Sequence, residues 1–375
     1  MAAAGFDLAD AMQPREHRRM LRSDLTPQQT RIALALVATL GVLAALLVAA
    51  GNPGNMGLCG ACFLRDLAGA LGFFQAPAPR IFRPELTGIV LGALLCVLVR
   101  RRFAARSGSF AASRFALGVL MAQGALVFLG CPFRMLQRLG GGDLHAWLAL
   151  PGFVAGVFVA TRFERRGYSI GKTSPVAAPI GLWAHLVFLG LLALFLVGGV
   201  LSGPGPGSTE APAHAAWSLA LALGLVAGVI LSLSGFCAIS AARQLFLPRR
   251  TMSLAAALLI LAYAATAFAT GHANWGFGGQ PIAHSEFLWN ALGLALVGLC
   301  GALAGGCPVR QLVMAGEGNG DAFVCVMGLV VGGAAAHTFG IASSPAGASD
   351  AGRIATLVGL AIALTYAWRV RPSPS

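Results

Sequence analysis

The chain has 375 residues, of which 57% are hydrophobic and only 10% charged, and its mean hydropathy is +0.78. That composition excludes a soluble globule and indicates a polytopic membrane protein. The net charge of +13 comes from short basic clusters beside apolar runs rather than from a continuous face, which argues against nucleic acid as a partner. Eight cysteines without a soluble secreted domain do not make a disulfide framework.

The first thirty residues are polar and basic (Arg15, Arg18, Arg19, Arg22). No cleavable signal is evident there, so residues 1–30 are expected to be a retained cytoplasmic tail. Ten apolar stretches of helical length follow, near 31–50, 85–99, 110–130, 145–161, 179–200, 214–234, 251–270, 285–306, 320–340 and 351–368. The second of them is short. Between them lie amphipathic segments too short to cross, at about 55–74, 131–142, 235–247 and 307–318. The predicted fold class is therefore all-α: a polytopic membrane protein of about ten transmembrane helices and four re-entrant half-helices.

Orientation follows from arginine. If the spans alternate, the N-terminal tail, Arg100–Arg102 with Arg106, Arg162 with Arg165, Arg166 and Lys172, Arg249 with Arg250, and Arg369 with Arg371 all fall on one side. By the positive-inside rule that side is the cytoplasm, and both termini are expected there. The other side receives Arg80, Arg83, Arg353 and the linker running from Gly203 to Glu210.

One pattern occurs four times. A small sulfur or hydroxyl residue is followed by arginine three positions later and leucine two after that, at Cys62-Arg65-Leu67, Cys131-Arg134-Leu136, Ser240-Arg243-Leu245 and Cys307-Arg310-Leu312. Aligning the copies exposes a duplication: Cys59 lies over Cys237, Cys131-Pro132 over Cys307-Pro308, and Asp143 over Asp321. Five crossings separate equivalent points, an odd number, so the repeats are expected to be inverted, with their site at the repeat interface. The predicted divisions are 31–161 for the first repeat, 162–213 for a linker containing one transmembrane helix, 214–340 for the second repeat, and 341–375 for a final helix and cytoplasmic tail.

A half-helix whose N-terminus points into the bilayer presents unpaired N–H groups and the positive end of its dipole, which favours an anion. Proline at the first helical position, as after Cys131 and Cys307, costs no hydrogen bond. Cys59, Cys62, Cys131, Cys237, Ser240 and Cys307 are thus the candidates for a substrate path. Arg65, Arg134, Arg243 and Arg310 are read in two ways, as anion-attracting groups or as anchors fastening the half-helices to neighbours such as Asp66, Asp143 or Asp321, since cations at that depth are costly without a partner. Cys96, Cys300 and Cys325 have no symmetric partners and read as packing residues. Asn55 reads as a turn residue or part of the mouth, and His185 as an interhelical hydrogen-bond donor. Cys59-Gly-Ala-Cys62 also permits thiol–disulfide chemistry, although its repeat partner is Cys237-x-x-Ser240. No metal-ligand spacing is present, and Gly171-Lys-Thr173 lacks the spaced glycine of a phosphate-binding loop.

The stretch from Gly51 to Gly72, which contains Asn-Pro-Gly-Asn-Met-Gly-Leu-Cys-Gly-Ala-Cys-Phe-Leu-Arg-Asp-Leu, and the two Gly-Cys-Pro-x-Arg segments resemble the YedE branch of the YeeE/YedE membrane family. The resemblance spans nearly the whole chain. It implies an hourglass of inverted repeats that takes up thiosulfate, or in the YedE branch a selenium compound, with cysteines passing the ion by S–H hydrogen bonds. By motif position that role falls on Cys59, Cys131, Cys237 and Cys307. The arginines three residues after Cys131 and Cys307 depart from the thiosulfate pattern and are compatible with a selenium oxyanion or a reduced species. The expectation is an inner-membrane importer of a small sulfur or selenium anion, not an enzyme and without a cofactor. Its partners would be the membrane lipid and a small cytoplasmic sulfur- or selenium-carrier protein. The alternative is a membrane thiol–disulfide oxidoreductase using Cys59 and Cys62.

Overall fold

The computed structural model describes residues 26–75, 79–206 and 213–370. The tail arginines Arg15 to Arg22, Glu210 of the linker and Arg371 lie outside the described residues. The elements in chain order are α1 (Pro27–Ala49), α2 (Gly60–Ala70), α3 (Pro84–Val99), β1 (Arg106–Ser107), α4 (Ala111–Phe128), α5 (Pro132–Gly140), α6 (Leu144–Arg165), β2 (Ser174–Pro175), α7 (Ala178–Val197), α8 (Trp217–Ser234), α9 (Ala238–Arg243), α10 (Thr251–Ala269), α11 (Phe287–Leu303), α12 (Pro308–Gly316), α13 (Gly320–Thr338) and α14 (Asp350–Arg369). Nine helices among the described residues are long and apolar enough to cross a membrane, and α3 is apolar but only 16 residues long. The chain is an all-α polytopic membrane protein, as its apolar runs predict.

Local chemistry sets the helix starts. Thr26 and Gln29 cap α1 reciprocally, and proline occupies the first turn of α1, α3, α5, α7 and α12, where no N–H donor is needed. Asp143, Asn319 and Ser349 accept N–H groups at the starts of α6, α13 and α14. The segment predicted at 235–247 is less regular than expected. Only Ala238–Arg243 is α-helical, and a 3₁₀ turn over Gln244–Phe246 finishes it before Pro248.

The long helices pair across the two halves of the chain: α10 packs on α1 and α8 on α3, while α13 packs on α4 and α11 on α6. With the halves aligned on their cysteines, α1 corresponds to α8, α3 to α10, α4 to α11 and α6 to α13. Each of these cross-half contacts is therefore made twice, and α4 packs on its own equivalent α11. Small residues bring the backbones together, as expected where lipid removes any hydrophobic drive for helix association. A Cβ on Gly92 would lie 2.1 Å from the Leu225 carbonyl oxygen, and one on Gly228 would lie 2.3 Å from that of Ile89. Gly228→Leu should therefore force α3 and α8 apart and cost about 1–3 kcal/mol, read as a lower melting temperature in detergent.

Connecting segments gather at two ends. At one end Asn52 accepts from the Ala215 N–H at 2.9 Å, and the Leu144 N–H reaches the Gly276 carbonyl at 3.2 Å. At the other, β1 pairs antiparallel with β2, the Arg106 N–H donates to Gly318 O at 3.1 Å, and Arg243 meets Glu164 at 2.7 Å. The arginine clusters of the connecting segments lie at this second end.

Candidate functional site

Four cysteines occupy one structural role. Cys59, Cys131, Cys237 and Cys307 are the N-cap residues of α2, α5, α9 and α12, all in extended backbone conformations. Each short helix begins next to a thiol inside the bundle, and all four residues are at most 4% exposed. Cys62 is equally buried, one turn into α2, whereas Ser240 at the matching place in α9 is half-buried. The fourfold sequence pattern is thus two different arrangements. In α5 and α12 its first residue is the cap, but in α2 and α9 it lies three residues inside the helix and the cap is the preceding cysteine.

The thiols meet in two groups. Cys59 Sγ accepts the Cys62 N–H at 3.3 Å, with Cys131 close by. Cys131 occupies the N-cap position of α5 without a hydrogen bond from its side chain to the helix start. In the other half, Cys237 Sγ accepts the Cys307 N–H at 3.4 Å and makes no hydrogen bond to the first N–H groups of its own helix. The groups abut where α2 and α12 start: a Cβ on Gly60 would lie 2.8 Å from the Val309 nitrogen and 3.0 Å from the Pro308 side chain. Five thiols and the first turns of the short helices therefore form one buried column. Helix N-termini give such a place positive potential without a formal cation.

The arginines of the pattern spend their donors on protein. Arg65 Nε donates to Asp66 at 2.7 Å, and its Nη1 lies 2.9 Å from His337 Nε2. Arg134, fully buried, donates to the carbonyls of Asn55 at 3.1 Å, Pro281 at 3.2 Å and Leu129. Arg243 pairs with Glu164 at 2.7 Å and Arg310 with Glu317 at 3.3 Å. Of the neighbours named for anchoring, only Asp66 holds an arginine of the pattern. Asp143 pairs with Arg138 at 2.6 Å, and Asp321 accepts from Ser107 and Ser109 and sits 3.6 Å from Arg114.

Several residues that position the column escaped sequence reasoning. The Gln137 amide clamps the peptide before the first cap, accepting the Leu58 N–H at 3.3 Å and donating to Leu58 O at 2.5 Å. Asn52 donates to Gly57 O at 3.1 Å and to Glu85 at 2.7 Å, fixing the turn that leads to Cys59. Arg83 supplies a second cation to Asp66, at 2.8 Å. The available signal was a glutamine one turn after Arg134 in a helix too short to span. Asn55 takes a left-handed conformation (φ 54°) and is buried, with its side chain accepting from the Tyr263 hydroxyl at 3.3 Å. His185 makes an interhelical contact, 2.9 Å from Gly316 O. All eight cysteines are free and buried. Among the described residues no group of three or more His, Cys, Asp or Glu side chains is placed to hold a metal ion.

Residues 233–368 match the model of a family described as sulphur transport. The matched stretch contains Cys237, Ser240, Arg243, Cys307 and Arg310. No curated protein matches the chain.

Proposed function

We propose that this chain imports a small sulfur- or selenium-containing anion across the inner membrane, with the arginine-rich end and both termini on the cytoplasmic side. The observation that carries the reading is the column of cap cysteines at the meeting point of the short helices. Its support from outside the molecule is the sulphur transport match over the second half. Neutral thiols are weak donors, and conduction needs several modest sites in series rather than one tight one. An anion entering the column would find S–H and N–H donors at Cys59 and Cys131 and then at Cys307 and Cys237. It would meet no free guanidinium there, because Arg65, Arg134, Arg243 and Arg310 are all committed to protein partners. In this reading they anchor the short helices, and the helix starts provide the attraction. The full buried length of the column makes this a closed conformation, so transport requires the helix starts to part.

Uptake of labelled thiosulfate, selenite and selenate by cells with and without the protein tests the reading and ranks the cargo. Protein-dependent accumulation of at least one of them is expected, and no accumulation of any would refute it. The second reading, thiol–disulfide exchange, draws on Cys59 Sγ resting on the backbone N–H of Cys62 at 3.3 Å, which brings the two residues of the Cys-x-x-Cys pair together. A mixed disulfide trapped in Cys62→Ser would support it, and full activity of that variant would reject it.

A further inference from the structure

The two halves of the chain offer a comparison inside one molecule. α5 runs from the cysteine column to the end away from the arginine clusters, where the Asn274 N–H donates to Gly141 O at 2.9 Å. Its counterpart α12 runs to the arginine-rich end, where Gly318 O accepts from Arg106. With the cysteines aligned, Arg134 lies over Arg310, Leu129 over Gly305, Cys62 over Ser240 and Gly57 over Gly235. The first member of every pair is shut in, and the second is not. Arg134 is 0% exposed against 19% for the Arg310 side chain, while Leu129 and Cys62 are buried against an exposed Gly305 and a half-buried Ser240. A Cβ on Gly57 would run into the Ala44 carbonyl, whereas one on Gly235 or Gly305 would meet nothing within 4 Å. Ala304 and Cys307, on either side of the Gly305-Gly306 turn, are each 1% exposed, so an opening reaches from the arginine-rich end as far as the start of α12.

The two arginines also differ in what they hold. Arg310 turns back on Glu317 at the end of its own helix, with both contacts at 3.3 Å. Arg134 instead donates to carbonyls of three separate connections: Gly54 and Asn55 before α2 at 3.4 and 3.1 Å, Leu129 between α4 and α5, and Pro281 and Ile282 between α10 and α11 at 3.2 and 3.4 Å. The backbone is strained where it is held. Of the five non-glycine residues with left-handed φ among the described residues, three are Asn55, Leu129 and Ile282, at 54°, 62° and 47°. Asparagine tolerates that conformation, but leucine and β-branched isoleucine keep it only where surrounding contacts impose it. At the place equivalent to Leu129, Gly305 takes φ 87° without that cost. We propose that Arg134 is the latch of an outer gate and that this structure is the inward-facing arrangement of a two-state cycle. The connections at 54–55, 129 and 281–282 close the column from outside, and the mouth at Gly235 and Gly305 opens it toward the cytoplasm. In the other arrangement Arg134 lets go of its carbonyls, the strained turns relax, and Arg310 leaves Glu317 to close the inner mouth. The inference rests on the transport reading above and supplies its gating step, in which two equivalent halves exchange conformations.

The test uses the full chain in membrane vesicles of both orientations, a membrane-impermeant maleimide, and peptide mass spectrometry to read which thiols react. Ser240→Cys is expected to react in inside-out vesicles, while Cys62 of the wild type stays protected in right-side-out vesicles. Arg134→Ala should raise the reaction of Cys62 from outside at least about tenfold, the factor that one hydrogen bond from a charged donor is worth. Cys300 and Cys325, buried in α11 and α13, should stay unreacted and show that the variant is folded. If alanine exposes those two as well, Arg134→Lys carries the test by the same criterion, because it keeps the charge but has three donors where a guanidinium has five. Protection of Ser240→Cys from the inside, reaction of wild-type Cys62 from the outside, or no rise in a folded Arg134 variant overturns the proposal. Labelling needs no cargo, so its result is independent of whether thiosulfate, selenite or selenate is taken up.

Discussion

Asp66→Ala is expected to cost about 3–5 kcal/mol, the largest loss of any single substitution considered for this protein. Asp66 is fully buried in α2, and its two carboxylate oxygens divide between two cations, Oδ1 to Arg65 and Oδ2 to Arg83. Arg83 is itself fully buried and stacked over the Phe63 ring at 5.0 Å. Removing the carboxylate takes from each of the two buried guanidinium groups its one ion pair, and Arg65 keeps His337 beside it. The cost comes from those stranded cations more than from the lost attraction. Asp66→Leu combined with Arg83→Met should therefore be less damaging than Asp66→Leu alone. Melting temperatures in detergent check both statements, and equal loss in the single and double variants would show that stranded charge is not the cause.

Cys131→Ala and Cys307→Ala should each lower anion uptake by about 10- to 100-fold, the factor that corresponds to the roughly 1.5–3 kcal/mol of a hydrogen bond to a charged group. Both residues occupy the N-cap positions of short helices at the centre of the buried column, and alanine removes the S–H donor while leaving Pro132 and Pro308 to start the helices. The contrasting substitution is Arg243→Ala. Arg243 and Glu164 are about one-third exposed, a setting in which an ion pair contributes on the order of 1 kcal/mol or less. Its loss should change uptake less than about fivefold on that scale. Initial rates of labelled thiosulfate uptake at matched expression decide the issue. A larger defect in Arg243→Ala than in Cys131→Ala would transfer the anion-attracting role back to the arginines.

The spans were legible because length and apolarity are all that crossing a bilayer demands, and the predicted stretches fall on the observed helices to within a few residues. The starts of α5 and α12 were legible too, since Cys-Pro announces a cap followed by a first-turn proline. The site was only partly so. The repeated Cys/Ser-x-x-Arg spacing suggests one structural unit, yet its first residue caps α5 and α12 while lying inside α2 and α9. A three-residue spacing is the same on any turn of a helix, so it cannot show where the helix begins. The partners of the arginines were hidden for a different reason. Arg134 is held by carbonyls of residues 55, 129 and 281, and backbone oxygens carry no signature in sequence. Gln137 and Arg83 act across the fold on Leu58 and Asp66, contacts that only the packing of α2 between its neighbours creates.

The exchange of helices between the two halves bears on how the protein is made. α1 buries one face against α10, and a Cβ on Gly41 would lie 2.4 Å from the Leu259 carbonyl oxygen. That surface has no partner until Thr251–Ala269 has left the ribosome and entered the bilayer, more than 200 residues after α1 itself. Contacts of such long sequence separation form late and leave early segments exposed meanwhile. The first half of the chain must therefore wait in the membrane as an unfinished bundle, in the keeping of the insertion machinery or of lipid. A truncated product ending before α10 would lack the partner of its first helix and be a natural target for membrane proteolysis.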